Sequence, residues 1–276
     1  MSEKFLTNGK AFTRKKSKAY REINTVIAVM AREITVFFKS PAAIIMSLAM
    51  PVVMMWMIGG NMMQNTTMVG MGDNSGFGAF MLVGMLINML FMTVTQGMTS
   101  LVDDHETDFN QEMLVSPVSR HSLVIGKILG ATFGAIVSML GTIIVGIFMG
   151  ITLPVSQLLL ILLLSPLMCS AAGAMSMIFI GLIKNKKAAN MVVMLIAMPQ
   201  MFLSGGIIPV NNSGGVLMIL SRCMPMTYCI DLARAVVKSD QPVMFDPLIN
   251  FIAILTITVI CLVIGTFFFA RSEKNR

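Results

Sequence analysis

The stretches FGAFMLVGMLINMLFMTVTQGMTSLV (77–102), DDHETDFNQEMLVSPVSR (103–120) and HSLVIGKILGATFGAIVSMLGTIIVGIFMGI (121–151) decide the fold. Each outer run is longer than the roughly 20 apolar residues that carry a helix across a hydrocarbon core about 30 Å thick. The island between them, Asp103 to Arg120, holds five of the chain's thirteen acidic residues. A plain connector does not need that density of carboxylates, so the island reads as a docking surface for a water-soluble partner.

Working outward, the rest of the chain has the same character. Of its 276 residues 56% are hydrophobic and 12% charged, and the mean hydropathy is +0.83, outside the range of soluble domains. The class is all-α integral membrane. Six apolar runs reach spanning length, at 41–60, 77–102, 122–151, 157–183, 188–209 and 247–270. Pro199, Ser204, Gly205, Gly206 and Pro209 crowd the second half of the fifth and threaten to break it. Lys and Arg set orientation. With both termini on one side, that side carries all 20 basic residues except Arg222, Arg234 and Lys238, so both termini are expected in the cytoplasm of a multi-pass plasma-membrane protein. This bias accounts for the net charge of +7, and no nucleic-acid partner is expected. No secretory signal is expected either, since the first apolar run begins near residue 42 without a cleavage site after a short core.

Several chemistries lack their residues. No G-x-x-x-x-G-K-[ST] phosphate loop is present, because neither Lys10 nor Lys127 has the required upstream glycine. The two histidines, His105 and His121, both fall in or beside the island, outside any H-E-x-x-H pattern. No expected span carries an acidic residue, which argues against catalysis within the membrane and against ion-coupled transport. Catalytic, cofactor and metal sites are all expected to be absent from this chain. Cys169 and Cys261 read as packing residues; Cys223 and Cys229 lie outside the spans, where pairing is one reading, but with Pro225 between them free thiols are favoured. Thirty methionines admit a copper(I) reading through soft thioethers, with Met54, Met55, Met57, Met62, Met63, Met68 and Met71 the densest group; their spread through nearly every span favours adaptable packing.

The expected organisation is a basic tail at 1–20, an amphipathic interfacial helix at 21–40, a six-span unit at 41–271 and a short tail at 272–276. Ile23, Val26, Ile27, Met30, Ile34, Phe37 and Phe38 recur at helical spacing, with Arg21, Glu22, Arg32, Glu33 and Lys39 elsewhere around the helix. The third span carries small residues at Gly126, Gly130, Gly134, Ser138, Thr142, Gly146 and Gly150, which let backbones approach closely in lipid. Such a stripe drifts by about 40° per step, so one straight partner cannot follow it all; it reads as packing of a central helix, with a dimer seam as the alternative. Pro51 and Pro166 sit inside spans as kink sites. Residues 210–246 are too apolar for a solvated loop and too broken to span, and read as two short re-entrant or interfacial helices around Pro225. On the second, Asp231 and Arg234 are three apart and positioned to pair, as a structural ion pair or an outer gate. Asn88, Gln96 and Gln200 read as interhelical hydrogen-bonding groups.

Two sets of residues resemble a known family. Glu106, then Asp108-Phe109-x-x-Glu112-Met113-Leu114-Val115-Ser116-Pro117-Val118-Ser119-Arg120 and Gly126-Lys127-Ile128-Leu129-Gly130, is similar to the second cytoplasmic segment of ABC-2-type transporter permeases. Phe202 to Pro209, then Met224-Pro225-Met226-Thr227-Tyr228 and Asp231-Leu232-Ala233-Arg234, is similar to that family's fifth-span end and the motifs after it. Asp108 stands where glycine is usual and Met224 where asparagine is. The resemblance implies the permease subunit of an ABC exporter, a dimer with a second copy or a sister permease. Bound to a separate cytoplasmic ATPase subunit that carries ATP and Mg, it would move a drug, lipid or lipid-linked glycan outward. It implies ATPase-coupling roles for Glu106, Glu112, Met113, Leu114 and Pro117, with Arg32 and Glu33 on the interfacial helix as secondary contacts. An ATP-independent channel or methionine-based Cu(I) carrier is the alternative.

Overall fold

The computed structural model describes residues 18–59, 74–102, 120–151, 153–180, 182–183, 185–207, 215–237 and 243–274. Among them the structure is helical, with no strand. The helices are α1 (Lys18–Lys39), α2 (Pro41–Met54), α3 (Asn74–Met98), α4 (Arg120–Phe148), α5 (Val155–Ile180), α6 (Lys186–Leu203), α7 (Val216–Cys223), α8 (Pro225–Val237) and α9 (Pro247–Lys274). The island from 103 to 119 lies outside the described residues, as do the tail before Lys18 and the methionines from Met62 to Met71.

Among the described residues four helical segments are long and apolar enough to cross a membrane: Phe77–Val102, Ser122–Phe148, Val155–Ile180 and Pro247–Phe268. The number rises to six if each of two bent pairs counts as one span. The first pair is α1 with α2, bent by 76°, so α1 lies across the direction of the helix that follows it. Pro51 sits inside α2, and beyond it the helix loosens into a π-helical turn at Met55–Gly59; a proline lacks the N–H and crowds the preceding turn, which favours such a change of register. The second pair is α7 with α8, bent by 86° at Met224 and Pro225.

α6 is shorter than the expected fifth span. It starts at Lys186, where the Asn185 side chain accepts from the Lys187 N–H at 2.8 Å, and stops at Leu203. Gly205 then takes φ +80°, a left-handed conformation that glycine adopts without a Cβ penalty and that ends helices. Eighteen residues still rise about 27 Å, close to the core thickness.

α3 is the axis of the bundle. Its apolar window is 83% buried, against 22% for α9 at the edge. The reason is visible in its residues: Phe80, Leu82, Val83, Leu86, Ile87, Leu90 and Phe91 cover one half of its circumference and Met81 and Met85 stand on the other, and a helix apolar all round belongs inside. α5 and α8 close around it through Ala171, Ala172, Cys229 and Ile230. Helices are tied to one another by Thr93 to Ser138 at 3.2 Å, Ser176 to Thr95 at 3.0 Å and Gln200 Nε2 to Met175 Sδ at 2.8 Å. Asn88 departs from the expected pattern: it is buried, and its Nδ2 has no partner among the described residues.

Candidate functional site

The small-residue stripe of α4 receives α1. A Cβ added at Gly126 would stand 2.9 Å from Val29 Cβ, one at Gly130 2.5 Å from Glu33 Cβ, and one at Gly134 3.1 Å from the Phe37 ring. Farther along, the stripe turns to α3, where Thr93 bonds Ser138 and a Cβ at Gly146 would stand 2.7 Å from Leu82. The change of partner follows from the drift of a four-residue repeat around the helix.

This close approach delivers Glu33 to a polar cluster. Lys127 Nζ lies 3.0 Å from Glu33 Oε1 and 2.6 Å from Ser100 Oγ. The Ser100 hydroxyl has one proton, and Gly97 O at 2.7 Å is its nearest acceptor, so Ser100 receives from Lys127 and donates back into α3. The Lys127 side chain is 1% exposed and that of Glu33 10%. Arg32 Nη1 approaches the same carboxylate at 3.4 Å and is 37% exposed. Charges so enclosed are held only when paired. Ser100 stands just before the island and Lys127 just after it, so Glu33 ties α1 to both helices that carry the island.

A cavity of about 390 Å³ opens beside this clamp. Met46, Met50, Met89, Met92 and Met194 make its apolar wall, and Glu33, Gln96 and Ser100 stand on its polar side. Unbranched thioether side chains adapt to varied apolar shapes.

The far end of α3 is organised differently. Asp231 Oδ1 accepts from the Met244 N–H at 2.7 Å, while Oδ2 accepts from the Phe245 N–H at 2.9 Å and from Asn250 Nδ2 at 2.7 Å. The carboxylate thereby pins the chain that leads into α9. Arg234 donates from Nη2 to Gly205 O at 2.7 Å and lies over the Phe80 ring at 3.7 Å, a cation–π contact in a desolvated setting. Both residues are buried. The expected Asp231–Arg234 ion pair therefore does not form, because backbone groups claim each side chain. Arg234 Nε, Asn250 Oδ1 and Ser204 Oγ have no hydrogen-bond partner among the described residues. A close backbone approach anchors this end: a Cβ at Gly84 would lie 1.8 Å from Gly206 O, so only glycine at position 84 lets the turn after α6 reach α3.

A family model described as ABC-2 type transporter matches residues 24–238. This chain belongs to the ABC-2 type transporter family. No curated protein matches it. The matched region runs from α1 to the end of α8, and so takes in the Glu33–Lys127–Ser100 cluster whole and Asp231 and Arg234 of the second. The chain is a multi-pass membrane permease of the ABC-2 type, a subunit that is generally not itself catalytic. ABC-2 permeases generally pair with ATPase subunits and dimerise.

Glu106, Glu112, Met113, Leu114 and Pro117 of this permease lie outside the described residues, as does Asp108. Arg32 and Glu33 are brought together, but the Glu33 carboxylate faces α3 and α4 instead of an outer surface. Gly126 and Gly130 are the floor on which α1 rests. Sequence reasoning missed three contributors: Lys127, Ser100 and Gly84. A signal for the first was present, since a lysine two turns inside an apolar run needs a partner. Its partner on α1 was not deducible from spacing, because the two residues are 94 positions apart.

Proposed function

We propose that this permease is the membrane half of an ATP-driven exporter, with both termini in the cytoplasm of a plasma-membrane dimer, working with a separate ATPase that binds ATP and Mg. The observation that carries the reading is the Glu33–Lys127–Ser100 clamp. Two elements expected to meet the ATPase, α1 and the island, are joined to the same pair of helices. A push delivered to either one moves α3 and α4 as a body, the kind of rigid displacement that switches packed helices between two arrangements. The methionine-walled cavity abuts the clamp and suits an apolar or amphiphilic cargo, a drug, lipid or lipid-linked glycan carried outward. Glu106, Glu112, Met113, Leu114 and Pro117 form the coupling surface in this reading, and Arg32 contributes from α1.

The test is co-purification with the ATPase. Glu112→Lys is expected to weaken the complex by about tenfold or more, the size of one charged contact reversed, while membrane insertion stays intact. Unchanged association and transport would refute the coupling assignment. A second reading, a thioether-based Cu(I) carrier, is favoured by one observation: five methionines line a single cavity. Tight Cu(I) binding by the purified chain without an ATPase would select it.

A further inference from the structure

The polar edge of the methionine-walled cavity is made of Thr93, Gln96 and Ser100 on α3 and Glu33 on α1. Each hydroxyl on that edge has already committed its one proton. Ser138 Oγ donates to Gly134 O at 3.0 Å, so Thr93 Oγ1, 3.2 Å away, is the donor to Ser138. Ser100 Oγ donates to Gly97 O at 2.7 Å and receives Lys127 Nζ at 2.6 Å. Both oxygens keep lone pairs and nothing to give. Glu33 adds to this surplus of acceptors. Lys127 at 3.0 Å and Arg32 at 3.4 Å both approach Oε1. Oε2 has the Ser100 oxygen at 3.3 Å, and that proton is turned to Gly97. The thioethers of the opposite wall are weak acceptors as well. The lining side chains that can still donate are Gln96, exposed on α3, and Ser40, whose hydroxyl makes no capping bond at the start of α2.

Charge narrows the occupant further. Glu33 is the one ionisable residue on the lining, and Lys127 behind it already balances its carboxylate. A cationic head would bring a further positive charge into an apolar cavity with no counter-charge left for it. An anionic head would face the carboxylate and find few donors. Either costs more than a hydrogen bond returns. A neutral head with O–H groups suits the edge as it stands: it donates to the committed oxygens and accepts from Gln96 or Ser40. The volume of about 390 Å³ lies within the range of about 300–1,000 Å³ of small-molecule sites. Met46 and Met194 on the wall are exposed, so a chain attached to such a head can run out over the thioethers.

We propose that this cavity binds a neutral, hydroxyl-headed amphiphile, its O–H groups held by Glu33 Oε2 and Thr93 Oγ1 with Gln96 beside them, and that it rejects phosphate-bearing and cationic heads. The inference rests on the reading of the cavity as the place of the cargo, and it narrows that cargo to its neutral members.

The experiment offers the full chain, in phosphatidylcholine nanodiscs, probes that share a lauryl chain: monolauroylglycerol, its dimethyl ether, dodecylammonium and dodecyl phosphate. Retained probe is counted by native mass spectrometry. The wild type is expected to keep monolauroylglycerol over each of the others by about tenfold, the scale of one hydrogen bond. The dimethyl ether has the same shape at the head but no proton to donate. Gln96→Glu adds a carboxylate without a counter-charge and is expected to move the preference to dodecylammonium; Gln96→Lys is expected to move it to dodecyl phosphate. Position 96 is exposed, and an unchanged melting temperature of the probe-free variants checks that they fold. Thr93→Val keeps the branched shape and is expected to lower retention of monolauroylglycerol by about threefold, with the dimethyl ether unaffected. A wild type that keeps the ammonium or the phosphate best, or all probes alike, would overturn the proposal. So would a monolauroylglycerol preference that no variant alters, since the probe would then sit elsewhere. Those outcomes leave the export reading standing, whereas a chain that never associates with an ATPase would unseat that reading and leave the head-group preference in place.

Discussion

Two clusters of buried charge stand at opposite ends of α3, about 30 Å apart by the rise of the helix between Phe80 and Ser100. At one end Glu33 meets Lys127 across 94 positions of sequence at 3.0 Å. At the other, Asp231 and Arg234 lie three apart on one helix, at the spacing that favours pairing, and each turns to something else. The difference lies in what surrounds them. Lys127 is enclosed by apolar packing and has Ser100 and the Glu33 carboxylate within reach. Around Asp231, the N–H groups of Met244 and Phe245 must also be satisfied, and the carboxylate can serve both of them and Asn250 at once. Gly205 O makes the same demand on Arg234. Where backbone groups are left without partners, a buried charged side chain gains more by satisfying them than by closing on its helical neighbour.

The largest test of this contrast is Glu33→Ala. It removes the Glu33 carboxylate from the buried Lys127 ammonium and is expected to cost about 3–5 kcal/mol, read as a lowered melting temperature of the solubilised protein. Replacing both partners together, as Glu33→Leu with Lys127→Met, should recover most of that loss. A single variant that melts like the wild type would show that the clamp contributes nothing to stability.

Gly84→Ala comes next. Its methyl group would meet Gly206 O, a backbone atom that cannot swing aside, and the expected cost is about 3 kcal/mol. The damage should appear first at the Arg234 end, as faster hydrogen exchange in α8, with the amides around Lys127 unchanged. Equal exchange at both ends would mean that the clusters are not independent.

The smallest effect is the sharpest discriminator. A double-mutant cycle on Asp231→Ala and Arg234→Gln should give a smaller coupling than the cycle on Glu33 and Lys127, which should exceed about 1.5 kcal/mol. A large coupling at Asp231 would mean that the pair interacts in solution despite its separate partners.

Much of the architecture was legible in residue order. Spanning length, apolar content and the bias of Lys and Arg are properties of segments, set by the thickness and polarity of a bilayer, and they needed no knowledge of neighbours. The bend at Met224 and Pro225, the break after Leu203 at Ser204 and Gly205, and the close-packing stripe from Gly126 were visible for the same reason: glycine and proline act on their own stretch of backbone. Pairing across the bundle was not visible. Nothing in the spacing of Glu33 predicts that α1, lying across α2, would seat on Gly126 and Gly130 and reach Lys127. Gly84 likewise looked like any glycine in a span until the turn at Gly206 came against it. The residues by themselves determined that this is a helical membrane protein with a charged island, because hydrophobic length and local backbone preference are additive along a chain. Only the tertiary structure decided which charges meet, because in a low-dielectric interior a charged group settles where the greatest number of hydrogen bonds converge, and that place is assembled from segments far apart in sequence.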